Sequence, residues 1–598
     1  MTKLKDIFEN TSDKSLVLLG NEAIARGIVE AGVAGVFTYP GTPSTEIPHT
    51  LYSAQPILQK MGYNLYLEWS TNEAIALEGA FGFSFSGQRT VFVCKHVGLN
   101  VASDALMTLV NSGVKGGLVL IIAEDPHMHS SQNEQDNRWY TKSSNVPMFE
   151  PSDASEAKAM LKDAFLLSEK FQIPVILRTV TKISHSRLNV TLDSISFPQI
   201  PENVFVNIDP KRFMAVPVYS RINKQHLVKN VDKIAEYLVD TPWNRLEDGE
   251  KTNFAFITCG SAYTYLKEFL SKLNRKYPIL KIGISHPFPR VKITHFLEKF
   301  PTATIIVIEE ADNVLEIFVK KLAYETRFQG RILGRKEGVT LPYGELTTQK
   351  IWNGLIDIFS LDIVPESIPK GSNLVFPRPP AMCPGCPHRA TLYALNRAVP
   401  KRHRLVSTDI GCYGLGFAPP FFAGNINLCM GSSIGIGSGL AHIDGLIDPV
   451  IAIIGDSTFW HAGLPGLVNT VFNKTNLMLL VTDNSTTAMT GFQPNPSEVI
   501  AIEDAARGLG VEFVAVTDAY NPKEAISIMK EAVKYKGVAV VVSKGECRLQ
   551  YVRREGLPQT TFIIEPDRCV GCHTCVRLIA CPAINWSGQN NSKGKRIP

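Results

Sequence analysis

The residues with the clearest chemical consequences are cysteines. The chain has eleven, and six of them are spaced as ligands. Cys383 and Cys386 form a C-x2-C pair. Cys569, Cys572 and Cys575 carry the same interval twice, followed after five residues by Cys581-Pro582. Thiols clustered in this way, in a chain whose N-terminus MTKLKDIFENTSDKS has no apolar core, argue for metal or iron–sulfur ligation over disulfides. The C-x2-C-x2-C…C-P run has the form of a ferredoxin-type [4Fe–4S] site, since zinc seldom uses three cysteines so evenly spaced. The Cys383–Cys386 pair taken alone also reads as a zinc knuckle or a structural pair. Cys94, Cys259 and Cys429 stand singly in or beside apolar segments and read as buried packing residues.

A second set is built from oxygens. The apolar run 450–454 leads into Gly455-Asp456-Ser457, and the run 477–482 leads into Asp483-Asn484. Ligands of open α/β sheets sit just outside the carboxyl ends of the strands. Adjacent strands here would present one carboxylate and one carboxamide at the same edge, a set suited to Mg²⁺ that keeps phosphate oxygens and water as its other ligands. Upstream, Cys429-Met430-Gly431-Ser432-Ser433-Ile434-Gly435 supplies small residues at a helix start, where backbone N–H groups can approach an anion. Each pattern has a plain rival. Any βαβ unit can carry an Asp at a strand end, and close helix packing also selects glycine.

The elements that must position these groups are legible as short, almost continuously apolar β-branched runs (16–19, 90–94, 118–123, 254–258, 304–308, 450–454 and 538–542) alternating with helical spacing. Strands buried on both faces of a parallel sheet read this way. The expected class is α/β, with several doubly wound domains and a small C-terminal iron–sulfur module. Composition breaks at 198–243, at the proline-rich stretch 365–387 and after residue 543 divide the chain. The expected domains are 1–195, 250–360 and 361–545, with a linker over 196–249 and the cysteine module over 546–598. Of the 598 residues 44% are hydrophobic and 20% charged, which excludes a disordered chain. A net charge of +5 over this length gives no concentrated basic face, so no nucleic-acid partner is expected. The apolar runs fall far short of the ~20 residues needed to cross a bilayer. A cytoplasmic protein with no membrane partner is expected.

The interval from Gly455-Asp456 to Asn484 resembles the diphosphate–Mg²⁺ motif of thiamine diphosphate enzymes. The run Asp483-Asn484-Ser485-Thr486-Thr487-Ala488-Met489-Thr490-Gly491-Phe492-Gln493-Pro494 is similar to the 2-oxoacid:ferredoxin oxidoreductases, in their indolepyruvate branch. Tyr39-Pro40-Gly41-Thr42-Pro43-Ser44 resembles the same family's pyrimidine-binding segment. Lys95-His96-Val97-Gly98-Leu99-Asn100 and the polar run from Glu124 to Asp136 look typical of that branch. The segment 250–360 resembles a transketolase C-terminal-like domain. In it, Glu309-Glu310-Ala311-Asp312 reads as a solvated acidic loop.

The resemblance implies roles for individual residues. Asp456, the Asn484 side chain and the Thr486 carbonyl would ligate Mg²⁺. Gly431, Ser432, Gly455 and Ser457 would line the diphosphate, and Thr42 would contact cofactor or substrate. Glu73 would hydrogen-bond N1′ of the aminopyrimidine and favour the tautomer that takes the C2 proton. A carboxyl group in an apolar pocket holds its proton to higher pH, which suits that task. Ser70-Thr71-Asn72-Glu73 also reads as a capping box, in which Glu73 only satisfies a backbone N–H. Glu68 and Glu78 are weaker candidates. Cys383, Cys386, Cys412 and Cys547 would hold a proximal [4Fe–4S] cluster, one thiolate per iron, and Cys569, Cys572, Cys575 and Cys581 a C-terminal one. A second C-terminal run of the family pattern does not follow, so Cys581 serves as a local fourth ligand or the module is truncated.

The implied activity is oxidative decarboxylation of an aryl 2-oxoacid such as indolepyruvate. Coenzyme A would take the acyl group and ferredoxin the electrons, with a smaller beta subunit completing an (αβ)₂ assembly. Met489 stands where pyruvate-specific relatives carry a polar residue, which fits a larger apolar substrate. Two other functions stay open: a non-oxidative thiamine decarboxylase or carboligase, and a non-catalytic iron–sulfur electron-transfer subunit.

Overall fold

The computed structural model describes residues 2–198, 206, 208–250, 252–359, 380–557, 563–584 and 589–597, and the chain divides into two compact units, Met1–Lys370 and Gly371–Pro598. The proline-rich break read over 365–387 lies outside the described residues as far as residue 379.

The first unit is organised around a seven-stranded sheet. Its strands Tyr66–Trp69, Gly35–Thr38, Thr90–Lys95, Leu118–Glu124 and Val175–Val180 lie side by side in parallel register. The two central strands, TVFVCK and LVLIIAE, are buried at every residue, which is why they carry no alternation of apolar and polar positions. A five-stranded sheet in the order Arg331–Leu333, Thr304–Ile308, Phe254–Cys259, Ile279–Ile282, Arg245–Glu247 forms a second layer system in this unit. Two strands depart from the sequence boundaries. Ile284–His286, from the 250–360 segment, pairs antiparallel with Met148–Phe149 and extends the first sheet. Arg245–Glu247, from the stretch read as a linker, pairs with Ile279–Ile282 in the second. The same stretch holds the helix Pro217–Tyr237, which buries Asn223, Leu227 and Ile234, at intervals of four and seven residues that keep them on one helix face.

The two sheets of this unit are joined by a buried ionic clasp. The Arg138 guanidinium donates to Asp136 Oδ2 at 2.6 Å, Glu309 Oε2 at 2.7 Å, Glu310 O at 2.9 Å and Asp312 O at 2.7 Å. Arg178 donates to Glu150 at 2.7 Å and Glu124 at 2.5 Å. Glu309 also accepts from the N–H groups of Leu315 and Glu316, at the start of the helix Val314–Glu325. Glu310 accepts from Ser261 Oγ and Leu346 N. The solvated loop expected at Glu309-Glu310 is therefore corrected: both side chains are buried. An acid at a strand end looks solvated when the arginine that neutralises it is 171 residues away. The clasp also explains the polar run after Glu124. Glu134 accepts from Gly344 N, and Trp139 Nε1 donates to Asp312, so the run binds one sheet's edge to the other's.

The second unit contains a five-stranded parallel sheet in the order Leu405–Thr408, Val450–Gly455, Leu477–Asp483, Val538–Lys544, Phe513–Asp518. The helices Pro387–Ala398, Ser432–Ala441, Leu464–Phe472 and Pro522–Ala532 alternate with these strands. Among the described residues no strand follows Lys544. The cysteine run there carries one short helix, Thr574–Arg577, and an isolated bridge between Asn590 and Arg596. Among the described residues no helix is long and apolar enough to cross a membrane.

Removing one partner of a buried ion pair leaves the others uncompensated, at a cost of about 3–5 kcal/mol. Arg138→Ala is therefore expected to lower the urea midpoint of the first unit's unfolding, followed by fluorescence. An unchanged midpoint would show that the clasp contributes nothing to stability.

Candidate active site

Three neighbouring strands of the second unit bring the oxygen set together. Val450–Gly455 pairs in parallel with Leu477–Asp483, and that strand pairs with Val538–Lys544. Their ends deliver Asp456, Asn484 and Cys547 to one edge. Asp456 is buried, and its Oδ2 accepts from Thr486 N and Asn495 Nδ2, each at 3.1 Å. Its Oδ1 faces the Asn484 carboxamide at 3.1 Å, and the same carboxamide atom lies 2.9 Å from the Thr486 carbonyl oxygen. With nitrogen in that place the amide donates to both. With oxygen there, three acceptor oxygens converge, an arrangement that a cation between them would satisfy. The residues present therefore fit Mg²⁺ by chemistry and by placement. Burial, and after it the Asp483 carboxylate, pushes the Asp456 carboxyl up to about 7, a cost that a cation relieves.

Asn495 escaped the sequence reading. It lies in an irregular loop, and nothing in its neighbours marks it as the donor that steadies Asp456. The glycine-rich helix start is also differently used. The N–H groups of Gly431 and Ser433 donate to the buried Asp409 carboxylate at 2.8 and 3.1 Å, and Ser432 Oγ donates to Cys429 O. Gly431 has φ +87°, and a Cβ there would lie 2.5 Å from the Ala462 Cβ. Ala462 belongs to a π-helical turn, Phe459–Gly463, that interrupts the helical stretch after Asp456. Gly431 is thus required for packing, and two of the N–H groups expected to meet an anion already meet Asp409. A side chain at Gly455 would strike the Tyr413 ring at 2.6 Å.

The thiols of Cys383, Cys386, Cys412 and Cys547 gather beside this edge. Burial pushes Cys386 up to about 11, with Cys383 and Cys547 adding to the shift, and Cys412 up to about 12, with the other three of the set adding to it. Cys412 also feels the Asp456 charge. Cys547 N donates to Asn484 O at 3.2 Å, which ties the last thiol to the oxygen set. Tyr520 Oη donates to Gly385 O and holds the C-x2-C loop. Among the described residues no three His, Cys, Asp or Glu side chains stand close enough to hold a single metal ion. A four-iron cube would take each of four thiolates on a different iron. The C-terminal cysteines Cys569, Cys572, Cys575 and Cys581 follow in the described segment 563–584. Arg389 links them to the first set, bonding Cys383 O at 3.1 Å, Ile579 O at 2.8 Å and Ala580 O at 2.7 Å, next to Cys581. Cys429 is exposed, contrary to its reading as a packing residue, whereas Cys94 and Cys259 are buried.

In the first unit the carboxyl ends of the parallel strands again carry the polar groups. The helix Glu73–Ser84 is capped by the Asn72 side chain, which accepts from Ile75 N at 2.9 Å. Ser70 Oγ donates to Glu68 instead. The capping box centred on Ser70 is therefore not formed, and Glu73 is the first residue of the helix. Its side chain is buried against Gly98, where an added Cβ would lie 2.5 Å from Glu73 Oε1. Glu78 is exposed, and Glu68 is occupied by Tyr66 and Ser70. Thr42 O accepts from Ser130 Oγ at 3.2 Å.

A family model for the C-terminal TPP-binding domain of thiamine pyrophosphate enzymes matches residues 409–543. The chain is 39% identical over 98% of its length to indolepyruvate oxidoreductase subunit IorA of Archaeoglobus fulgidus, covering 96% of that protein. It is likewise 39% identical over 98% of its length to the subunit of the same name from Thermococcus kodakarensis, covering 94% of that protein. A solved structure of 2-oxoglutarate:ferredoxin oxidoreductase from Magnetococcus marinus aligns over 58% of this chain and 65% of its own, with 16% identity and a TM-score of 0.44.

Outer partners of a metal ligand typically matter ~10- to 100-fold in metal affinity. Asn495→Ala should weaken Mg²⁺-dependent thiamine diphosphate binding by about that factor, and Asp456→Ala should abolish it, as read by calorimetry with and without Mg²⁺. Wild-type affinity in Asp456→Ala would remove the cation from this edge.

Proposed function

The chain belongs to the indolepyruvate oxidoreductase subunit IorA family, and from that premise we propose that it is the larger subunit of a thiamine diphosphate-dependent 2-oxoacid:ferredoxin oxidoreductase acting on aryl 2-oxoacids such as indolepyruvate. It is an oxidoreductase. In the proposed reaction the bond between the carboxylate and the 2-oxo carbon breaks, and CO₂ leaves. The acyl carbon forms a thioester with coenzyme A, whose thiol gives up its proton. The two electrons released pass singly through iron–sulfur centres to ferredoxin.

Thiamine diphosphate, when bound, supplies the nucleophilic carbon and the electron sink for this decarboxylation. Asp456 Oδ1, the Asn484 carboxamide oxygen and the Thr486 carbonyl would hold the Mg²⁺ that anchors its diphosphate. Glu73 would hold a proton shared with the aminopyrimidine, in the buried position that Gly98 leaves open. Cys383, Cys386, Cys412 and Cys547 would hold the first cluster. Cys569, Cys572, Cys575 and Cys581 would hold a further cluster in a ferredoxin-type segment. A smaller beta subunit in an (αβ)₂ assembly belongs to the same proposal, as does a cytoplasmic location.

The observation that supports this reading is that one compact unit holds both the Asp456, Asn484 and Thr486 polar set and the thiols about Cys412, joined by the hydrogen bond from Cys547 N to Asn484 O. A non-oxidative decarboxylase would need the oxygens and leave the thiols without a role. An electron-transfer subunit would need the thiols and leave Asp456 and Asn484 without one.

The test is an anaerobic preparation with the small subunit, assayed for iron, acid-labile sulfide and indolepyruvate- and coenzyme A-driven dye reduction. Iron together with dye reduction is expected. Thiamine binding without iron would favour the decarboxylase, and iron without thiamine binding the electron-transfer subunit. Cys412→Ser should lose one EPR-active cluster, and an unaltered spectrum would remove the first site. Glu73→Gln should bind cofactor yet lose C2–H/D exchange, and Gly98→Ala should slow exchange by displacing the Glu73 carboxylate. Exchange at the wild-type rate in both variants would leave Glu73 with a structural role only.

A further inference from the structure

Lys95 ends the strand Thr90–Lys95 at the edge that also carries Thr42 and Glu73, and its side chain is only 7% exposed. Gly41 is shaped around it, since a Cβ at Gly41 would lie 2.9 Å from the Lys95 Cβ. The ammonium has three donors. One goes to Ser130 O at 2.7 Å. Among the described residues no carboxylate oxygen lies within 4.0 Å of it. Asp125, whose charge does reach Lys95, has both carboxylate oxygens hydrogen-bonded elsewhere. Oδ2 accepts from Ser130 N and from the hydroxyls of Ser130 and Ser131, and Oδ1 accepts from Thr181 Oγ1. The adjacent His96 is also buried, and burial holds its ring down to about 4, so it is neutral and supplies no charge of its own.

A buried ammonium without a counter-ion is costly, and the protein elsewhere avoids that cost. Lys158 meets Glu30 and Asp193, and Lys281 meets Glu156. At Lys95 the hydrogen-bond partner is instead a neutral carbonyl, Ser130 O, and Asp125 acts on the ammonium only from beyond ion-pair distance. Ser130, which accepts from Lys95 Nζ, also donates to Thr42 O, so the ammonium and the Thr42 segment share one hydrogen-bonded loop. Burial lowers the Lys95 pKa to about 8, which leaves most of it cationic at neutral pH.

We propose that Lys95 binds the carboxylate of the 2-oxoacid substrate. This rests on the reading of the chain as a thiamine-dependent 2-oxoacid enzyme. A single buried point charge matches a single carboxylate better than a diphosphate, whose sites gather several donors. The contact is made before CO₂ leaves, so it contributes to substrate binding and not to activation of the cofactor.

The experiment uses the holoenzyme with its small subunit and two competitive inhibitors: indolelactate, which keeps the carboxylate, and tryptophol, which lacks it. Lys95→Met should weaken indolelactate by roughly 10- to 100-fold, the range of a hydrogen bond to a charged group. Tryptophol inhibition and C2–H/D exchange should stay unchanged, and Lys95→Arg should recover part of the loss. An unchanged indolelactate constant, or an equal loss for both inhibitors, would overturn the assignment. If Lys95→Met does not fold, the unsubstituted enzyme decides. Indolelactate should bind at least roughly tenfold tighter than its methyl ester, and equal affinities would overturn the proposal. Absence of C2–H/D exchange in the unsubstituted enzyme would overturn the thiamine reading, and the Lys95 assignment with it.

Discussion

Parallel pairing of three neighbouring strands is the constraint on which the second unit's chemistry depends. Val450–Gly455, Leu477–Asp483 and Val538–Lys544 are in register, so the residues just past their ends meet at one edge whatever their distance in sequence. Asp456, Asn484 and Cys547 arrive there together. The oxygens proposed for the cation and the Cys547 thiol are then neighbours because adjacent strands are neighbours. The sheet pairing that buries the apolar runs thus also fixes where Asp456 and Asn484 stand relative to Cys547. Asn495 and Thr486 N saturate one oxygen of Asp456 and leave the other aimed at the site.

The first unit uses a different device. Its two sheets are locked by arginines buried among acids, and the polar loop after Glu124 supplies both the lock and the ceiling over Lys95 and Thr42. Rigid support of this kind suits a site in which a buried glutamate must keep its place. Gly98 shows how tightly that place is drawn, since one added carbon would collide with Glu73. Where charges serve only structure, as at Arg138 and Arg178, they are paired. At Lys95 the ammonium meets a carbonyl and feels Asp125 only from beyond ion-pair distance, and that incomplete pairing is the basis for the ligand proposed there.

The strands were legible in the sequence because burial on both faces leaves continuous apolar runs, and the ends of those runs identified Asp456 and Asn484. Asn495 was not legible, because its importance comes from a loop that folds back on Asp456. Glu309 and Glu310 were misread because their partner Arg138 is distant in sequence. The Ser70–Glu73 spacing suggested a cap, but the helix begins two residues later than that motif requires, at the side chain of Asn72. The helix Pro217–Tyr237 and the strand exchange between the sheets were hidden by a polar composition that reads as a connection. Cys429 was read as buried because its neighbours are small and apolar, yet it lies at the exposed approach to a helix start.

The measurement closest to the central claim replaces Mg²⁺ with Mn²⁺ and records its electron–nuclear double resonance with thiamine diphosphate bound. The account predicts one tightly held Mn²⁺ per chain with phosphorus coupling from the diphosphate, lost in Asp456→Asn. Tight Mn²⁺ without phosphorus coupling, or coupling that survives Asp456→Asn, would contradict it.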